Sequence, residues 1–117
     1  MLPLLQKVKS VYLLWFGYYK TLPKTQRYTL GQKIDTLFTE AIEVIVTASF
    51  LTKIDKLPYV RRAVQKMDTI KIFLMMLWES KTLDNKKYIA LSIKINEVGK
   101  MLGGWQGQLL KQNSPNR

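Results

Sequence analysis

The chain has 117 residues, of which 47% are hydrophobic and 23% charged, a composition typical of one globular domain. It contains neither cysteine nor histidine, which excludes disulfides, the usual zinc sites and catalytic triads. We therefore predict a non-enzymatic protein with no catalytic residues, no metal and no cofactor. Its 19 basic and 8 acidic residues give a formal net charge of +11. Such an excess predicts a polyanionic partner, with nucleic acid as the first candidate, unless the chain is only generically basic.

The first segment, up to residue 22, has the apolar spacing of a helix. Its predicted core positions are Leu4, Val8, Val11, Trp15, Tyr18 and Leu22. A second apolar row widens the buried face, so we expect this helix to be covered on two sides. The apolar run from Val11 to Tyr19 is far shorter than the roughly twenty residues of a membrane span and precedes no cleavage site. We therefore expect a cytoplasmic protein that does not enter a membrane.

A basic corner follows, from Leu22 to Gly31. Pro23 ends the first helix, because proline disfavours helix at the residue before it. We expect Thr25 or Thr29 to accept hydrogen bonds from the free amides of the next helix. Lys24 and Arg27 lie off the apolar face, so the corner is interpreted as a helix connector that carries positive charge.

Two further helices are predicted beyond the corner, separated by a break at Pro58, so that the third begins near Tyr59. The predicted core positions of the second helix are Leu30, Ile34, Leu37, Ala41, Val44, Ala48 and Leu51. Those of the third helix are Val60, Ala63, Met67, Ile70, Leu74 and Leu77.

The outer face of the third helix becomes apolar toward its end, at Ile72, Met75 and Met76. A monomeric bundle has no reason to expose these side chains, so they are candidates for a subunit contact. The alternative is that a loop or another helix of the same chain covers them.

The polar stretch from Ser80 to Lys87 predicts a turn and the start of a fourth helix. The core positions of this helix are Tyr88, Leu91, Ile95, Val98, Leu102, Trp105 and Leu109. Its glycines either weaken the carboxyl end, which then frays or bends near Gly103, or permit a close backbone approach. We assign residues 1–110 to the bundle and expect residues 111–117 to form a disordered tail.

Four amphipathic helices with short connections predict an all-α fold, an antiparallel up-and-down four-helix bundle. In that topology the first and third connections share one end, so basic residues near them form one cap and those near the second connection another. Fourth-helix lysines extend the charge, and the whole surface suits phosphates rather than base edges. The alternative is that these lysines and arginines are only solvent-exposed surface charges without a binding role.

The candidate binding residues are Lys24, Arg27, Arg61, Arg62, Lys86, Lys87, Lys94 and Lys100. Tyr28 and Tyr59 lie beside basic corners and are the aromatic residues placed to stack on bases.

Two motifs resemble those of a known family. They are the corner, with Leu22-Pro23-Lys24, Arg27-Tyr28 and Leu30-Gly31, and the ending from Asn96 to Trp105, which contains Gly-Gly-Trp. Together with the third-helix pattern they resemble the bacterial four-helix-bundle proteins. That family includes the accessory variability determinant of diversity-generating retroelements and the proteins encoded in intervening sequences of large-subunit ribosomal RNA genes. The similarity covers roughly residues 1–110.

The resemblance implies more than the spacing does. Proteins related to the accessory determinant form basic homopentameric barrels that associate with the retroelement reverse transcriptase and its template RNA, and support mutagenic synthesis of complementary DNA. Lys24 and Arg27 are the matched basic positions, and no catalytic residue is carried over. The implied partners are the reverse transcriptase, RNA or its DNA copy, and further copies of the chain. The alternatives are the ribosomal intervening-sequence branch, or a structural module that docks an acidic protein.

Overall fold

Four long helices make up most of residues 2–113, which are the residues that the structure, a computed structural model, describes. They are α1 (Leu2–Tyr19), α2 (Gln32–Ser49), α3 (Lys53–Glu79) and α4 (Asn85–Gln112). Short connections join them into a rod of 53 × 21 × 20 Å. The all-α four-helix-bundle prediction is confirmed.

Contacts between helices show that sequence neighbours run antiparallel, since residues near the end of one helix meet residues near the start of the next. The contacts are Trp15 Nε1 to Asp35 Oδ1 at 3.2 Å, Lys56 Nζ to the carbonyl oxygen of Ala48 at 3.0 Å, and the stacked rings of Trp78 and Tyr88 at 5.0 Å. The first and last helices are also antiparallel neighbours, because Lys7 near the start of α1 lies 3.5 Å from Glu97, whereas Tyr18 near the end of α1 contacts Lys87 near the start of α4. The α1–α2 and α3–α4 connections therefore lie at the same end of the bundle.

The core follows the predicted spacing closely in the last two helices. All six predicted positions of α3 are buried, and in α4 only Tyr88 and Trp105 remain half-buried among the predicted seven. Leu83, in the connection between them, is also buried, which the spacing did not predict. Within the described residues, no helix is both long and apolar enough to cross a membrane.

In α2 the predicted core is partly wrong. Phe38 and Ile45 are buried, whereas Leu37 and Val44, predicted in their place, are half-buried. Both choices fit a spacing of three and four, so packing decides between them. The Phe38 ring lies 6.2 Å from the ring of Trp15 and 5.9 Å from that of Tyr12. These aromatic contacts with α1 draw position 38 into the core.

The α1–α2 link also involves a carboxylate. Asp35 accepts a hydrogen bond from Trp15 Nε1 and interacts with the hydroxyl of Tyr12. Burial of Tyr12, together with its hydrogen bond to Asp35 and the negative charge of that carboxylate, raises the pKa of Tyr12 to about 12. Tyr12 therefore stays protonated well above neutral pH, as the donor that this contact requires.

The predicted break at Pro58 is wrong. α3 begins at Lys53, directly after the extended residue Thr52 (φ −71°, ψ 163°), and continues through the proline. Pro58 stands in the second turn, so its missing amide removes only the bond to the carbonyl of Ile54. Because Ile54 and Pro58 are both exposed, that carbonyl is close to water, and the helix tolerates the loss.

The basic corner is more helical than predicted. Only residues 20–23 connect the helices, because Lys24–Gln26 forms an α-turn and Arg27–Gly31 a π-helical turn that runs directly into α2. The predicted threonine caps are wrong, since the helical backbone starts directly after Pro23 and encloses both threonines. Thr29 instead donates from Oγ1 to the carbonyl oxygen of Thr25 at 2.6 Å.

α4 is continuous to Gln112, through all of its glycines. A Cβ atom placed on Gly103, Gly104 or Gly107 would meet nothing within 4 Å, so the prediction of a close backbone approach is wrong for the described part of the chain. The helix also extends two residues into the predicted tail. Asn113 Nδ2 then donates to the carbonyl of Lys53 at 3.2 Å, and the rest of the predicted tail, residues 114–117, lies outside the described residues.

Gly31 is the glycine that packing requires. A Cβ there would lie 2.9 Å from the carbonyl oxygen of Gln26, 3.1 Å from Tyr19 and 3.2 Å from Leu22. The first of these is a backbone atom and cannot turn aside. The side chain of Tyr19, at the end of α1, also packs directly against Gly31 of the π-helical turn.

We expect Gly31→Ala to lower the free energy of unfolding by about 1–3 kcal/mol, because the methyl group overpacks this contact. Gly103→Ala is the matched control: its methyl group enters open space and should raise the free energy of unfolding by up to about 1 kcal/mol through helix propensity. Urea denaturation followed by circular dichroism measures both. Equal stabilities of the two variants would contradict the proposed contact.

Candidate nucleic-acid interface

One end of the bundle collects the basic residues of two connections. We call it the basic end and define it by Lys24, Arg27, Lys86 and Lys87. The antiparallel topology brings the two connections together, and Lys87 links them physically, since its Nζ lies 5.3 Å from the centre of the Tyr18 ring near the end of α1. The Lys87 amide is also bonded to Asp84 Oδ1 at 2.9 Å, which caps α4. The fold therefore places the start of α4 beside the first connection.

Arg27 occupies the first position of the π-helical turn. Its guanidinium carbon lies 5.3 Å from the centre of the neighbouring Tyr28 ring. Its Nε is buried and has no hydrogen-bond acceptor among the described residues. Lys24 and Lys86 are exposed to solvent. The basic end therefore has two ammonium groups exposed to solvent, those of Lys24 and Lys86. The Lys87 ammonium group lies over the Tyr18 ring, and the Arg27 guanidinium lies over the Tyr28 ring.

The opposite end differs from the prediction in its geometry. Because α3 begins at Lys53, Arg61 and Arg62 lie more than two turns inside the helix rather than at its start. Both are exposed, and the Arg62 guanidinium lies 4.9 Å from the centre of the Tyr59 ring. Lys56, nearer the end, donates to the carbonyl of Ala48 at 3.0 Å and so ties α3 to α2.

The two fourth-helix lysines do not form one row. Lys94 is seven residues from Lys87 and shares its face of α4, whereas Lys100 is six residues further along and points about 120° away. Lys94 is half-buried and Lys100 is exposed. Lys94 therefore extends the basic end along the bundle, and Lys100 belongs to a different face.

Cations over aromatic rings are the feature that sequence reasoning missed. Five described cations lie within 6 Å of a ring centre, the distance within which a cation is attracted to the face of an aromatic ring. Local spacing offered a signal, because Phe16 and Lys20 are four residues apart, as on one face of a helix. These contacts hold the cations in place, so the surface presents ordered positive charge.

The predicted subunit contact is largely exposed. Ile72 is 52% exposed and Met76 is 44% exposed, whereas Met75 is half-buried. No helix within residues 2–113 covers Ile72 or Met76, so the alternative of a covering helix is wrong for the described part of the chain. Ile89 and Ile93 on α4 are exposed as well. They are four residues apart and off the core spacing, which is a signal that sequence reasoning overlooked.

Comparison with known proteins identifies a family. The sequence matches the profile of the family described as bAvd-like over residues 2–109, whereas no curated protein matches it. The match covers all four helices almost completely and includes both motifs on which the resemblance was based. The chain therefore belongs to the bAvd-like family.

Proposed function

We propose that this chain is an accessory protein of a diversity-generating retroelement, which binds the reverse transcriptase together with the template RNA or its DNA copy. Family membership supports the accessory role. The observation that carries the nucleic-acid part is the basic end, where one fold brings Lys24, Arg27, Lys86 and Lys87 together within a chain of net charge +11. The reverse transcriptase catalyses DNA synthesis, and this protein provides a basic binding surface.

Electrostatic scaffolding is the mechanism that this surface supports. Lysine and arginine side chains neutralise phosphates and release the counterions condensed on the nucleic acid, which favours binding without reading sequence. Asp84 lies at the same end, but its carboxylate already accepts from the Lys87 amide. Glu79, at the end of α3, also lies at this end, and the four cations of the basic end outnumber these two carboxylates.

We further propose that the protein acts as a homo-oligomer, with a pentamer expected from the resemblance. The apolar surface formed by Ile72, Met75, Met76, Ile89 and Ile93 is the contact we assign. Trp78 of α3 stacks on Tyr88 of α4, so the antiparallel pair places Ile89 and Ile93 level with the last turns of α3. A surface of this kind favours association with another copy.

The nucleic-acid proposal is tested by removing three lysines from the basic end. Replacing Lys24, Lys86 and Lys87 by glutamine removes three phosphate partners, so the slope of log affinity against log salt for single-stranded RNA should become shallower by about 2. The matched control replaces Lys9, Lys53 and Lys111, which are exposed but lie elsewhere. Fluorescence anisotropy with a labelled oligonucleotide measures the slope.

Two results would contradict that proposal. A flat salt dependence of the unmodified protein would exclude electrostatic RNA binding altogether. Equal slopes for the two triple variants would place the RNA away from the basic end. If the variant of the basic end instead kept RNA binding but lost a protein partner, docking of an acidic protein would be the better function.

The oligomer is tested separately by native mass spectrometry at micromolar concentration. We expect the unmodified chain to assemble and the double variant Ile72→Glu, Met76→Glu to be monomeric, because two buried charges at an interface are strongly unfavourable. Leu13→Glu, on the exposed face of α1, is the control and should still assemble. If the unmodified protein is monomeric, the proposed subunit contact is contradicted.

A further inference from the structure

The most exposed ring that carries a cation is that of Tyr28, in the π-helical turn. The residue is 63% exposed. Arg27 occupies one side of the ring, with its guanidinium carbon 5.3 Å from the ring centre. By contrast, Tyr18, Tyr59 and Trp105 are half-buried beneath their cations. Tyr28 therefore presents an aromatic face to solvent with positive charge behind it.

The backbone that carries Tyr28 is firmly held. The Arg27 amide donates to the carbonyl of Pro23 at 2.8 Å, and Thr29 Oγ1 donates to the carbonyl of Thr25 at 2.6 Å. Gly31 closes the turn against the end of α1. A ring on such a backbone loses little conformational entropy when a ligand stacks on it.

The π-helical geometry sets the direction in which Tyr28 points. A π turn accommodates one extra residue, which rotates the preceding residues by about 100° relative to the pattern of the following helix. Arg27 and Tyr28 are thereby displaced from the apolar face of α2. Single π turns are frequent at functional sites, and in this one Leu30 and Gly31 face the core, whereas Tyr28 and Thr29 are exposed.

An open groove of about 630 Å³ between α2 and α3 begins at Tyr28. Its wall includes Lys33 and the apolar side chains of Leu37 and Phe73. Glu40 also lines the groove, but Lys66 Nζ lies 3.1 Å from its carboxylate and neutralises it. Near the Tyr28 ring, Arg27 and Lys33, with Lys24 one helical turn before Tyr28, therefore outweigh the acidic groups.

We propose that Tyr28 is a stacking platform for one unpaired base of a single-stranded nucleic acid, with Lys24 and Lys33 on the flanking phosphates. The inference rests on the nucleic-acid binding proposed above and adds the strand type to it. An exposed ring backed by a guanidinium matches the face of a base, and the surrounding ammonium groups match a phosphate backbone. Because every base has such a face, the platform favours unpaired over paired strands without choosing a sequence.

The test compares Tyr28→Leu with Tyr28→Phe on two labelled strands, oligouridylate and an abasic strand of the same length. The unmodified protein and Tyr28→Phe should prefer the strand with bases by about tenfold, the lower part of the range for one stacked base. Tyr28→Leu should bind both strands equally, because only the phosphate contacts remain. Its salt slope should stay unchanged, since no charge is removed.

Phe50→Leu is the matched control, because Phe50 is an even more exposed aromatic residue at the opposite end. It should retain the full preference. A Tyr28→Leu variant that still prefers bases tenfold would overturn the platform and leave the proposed RNA binding intact. An unmodified protein that binds neither strand would overturn both, so the two failures are distinguishable.

Discussion

The contact between Gly31 and the end of α1 is the constraint on which the rest of the molecule depends. A Cβ atom at position 31 would lie 3.1 Å from the Tyr19 ring at the end of α1 and 2.9 Å from the carbonyl oxygen of Gln26 within the same turn, so only hydrogen fits there. This closeness fixes how the second helix leaves the corner, and the corner in turn fixes how α1 lies against α2. Since α1 also pairs with α4, the same contact determines what stands beside the start of α4. The basic end thus depends on this contact together with the antiparallel packing of α1 against α2 and α4.

The high positive charge is compatible with this fold because the cations are placed at its surface and its ends. Among the described residues the ion pairs are Lys7–Glu97, Lys66–Glu40 and Lys71–Asp68, at 3.5, 3.1 and 4.0 Å. Partly exposed pairs of this kind contribute little to stability, typically below about 1 kcal/mol. Most basic side chains are therefore left for solvent, aromatic rings or a polyanion. The apolar core must offset their mutual repulsion, and its continuous aliphatic rows in α3 and α4 do so.

Sequence reasoning predicted the fold and much of the core because regular spacing survives wherever a helix is unbroken. It failed where the backbone departs from that regularity. The π-helical turn adds a residue without any compositional signal, so the threonine caps were misplaced. The helix-breaking effect of Pro58 was overestimated. A proline destabilises a helix less when the hydrogen bond that it removes lies near the helix start, and composition does not reveal where the helix starts. Which residues of α2 face the core was decided by aromatic rings on α1, and such a contact between residues distant in sequence is not visible in the spacing.

For the site, the clustering of the basic connections at one end could be predicted from the bundle topology. The contacts between cations and aromatic rings could be found only in the structure.

The central claim is that nucleic acid lies across the basic end. Hydrogen–deuterium exchange tests it most directly, because the first amides of a helix lack intrahelical acceptors and report readily on a covering ligand. On addition of single-stranded RNA at low salt, we expect slower exchange at residues 24–31 and 85–88, with residues 50–54 at the opposite end unchanged. Protection of residues 50–54 alone, or no protection anywhere under conditions where RNA is bound, would contradict the claim.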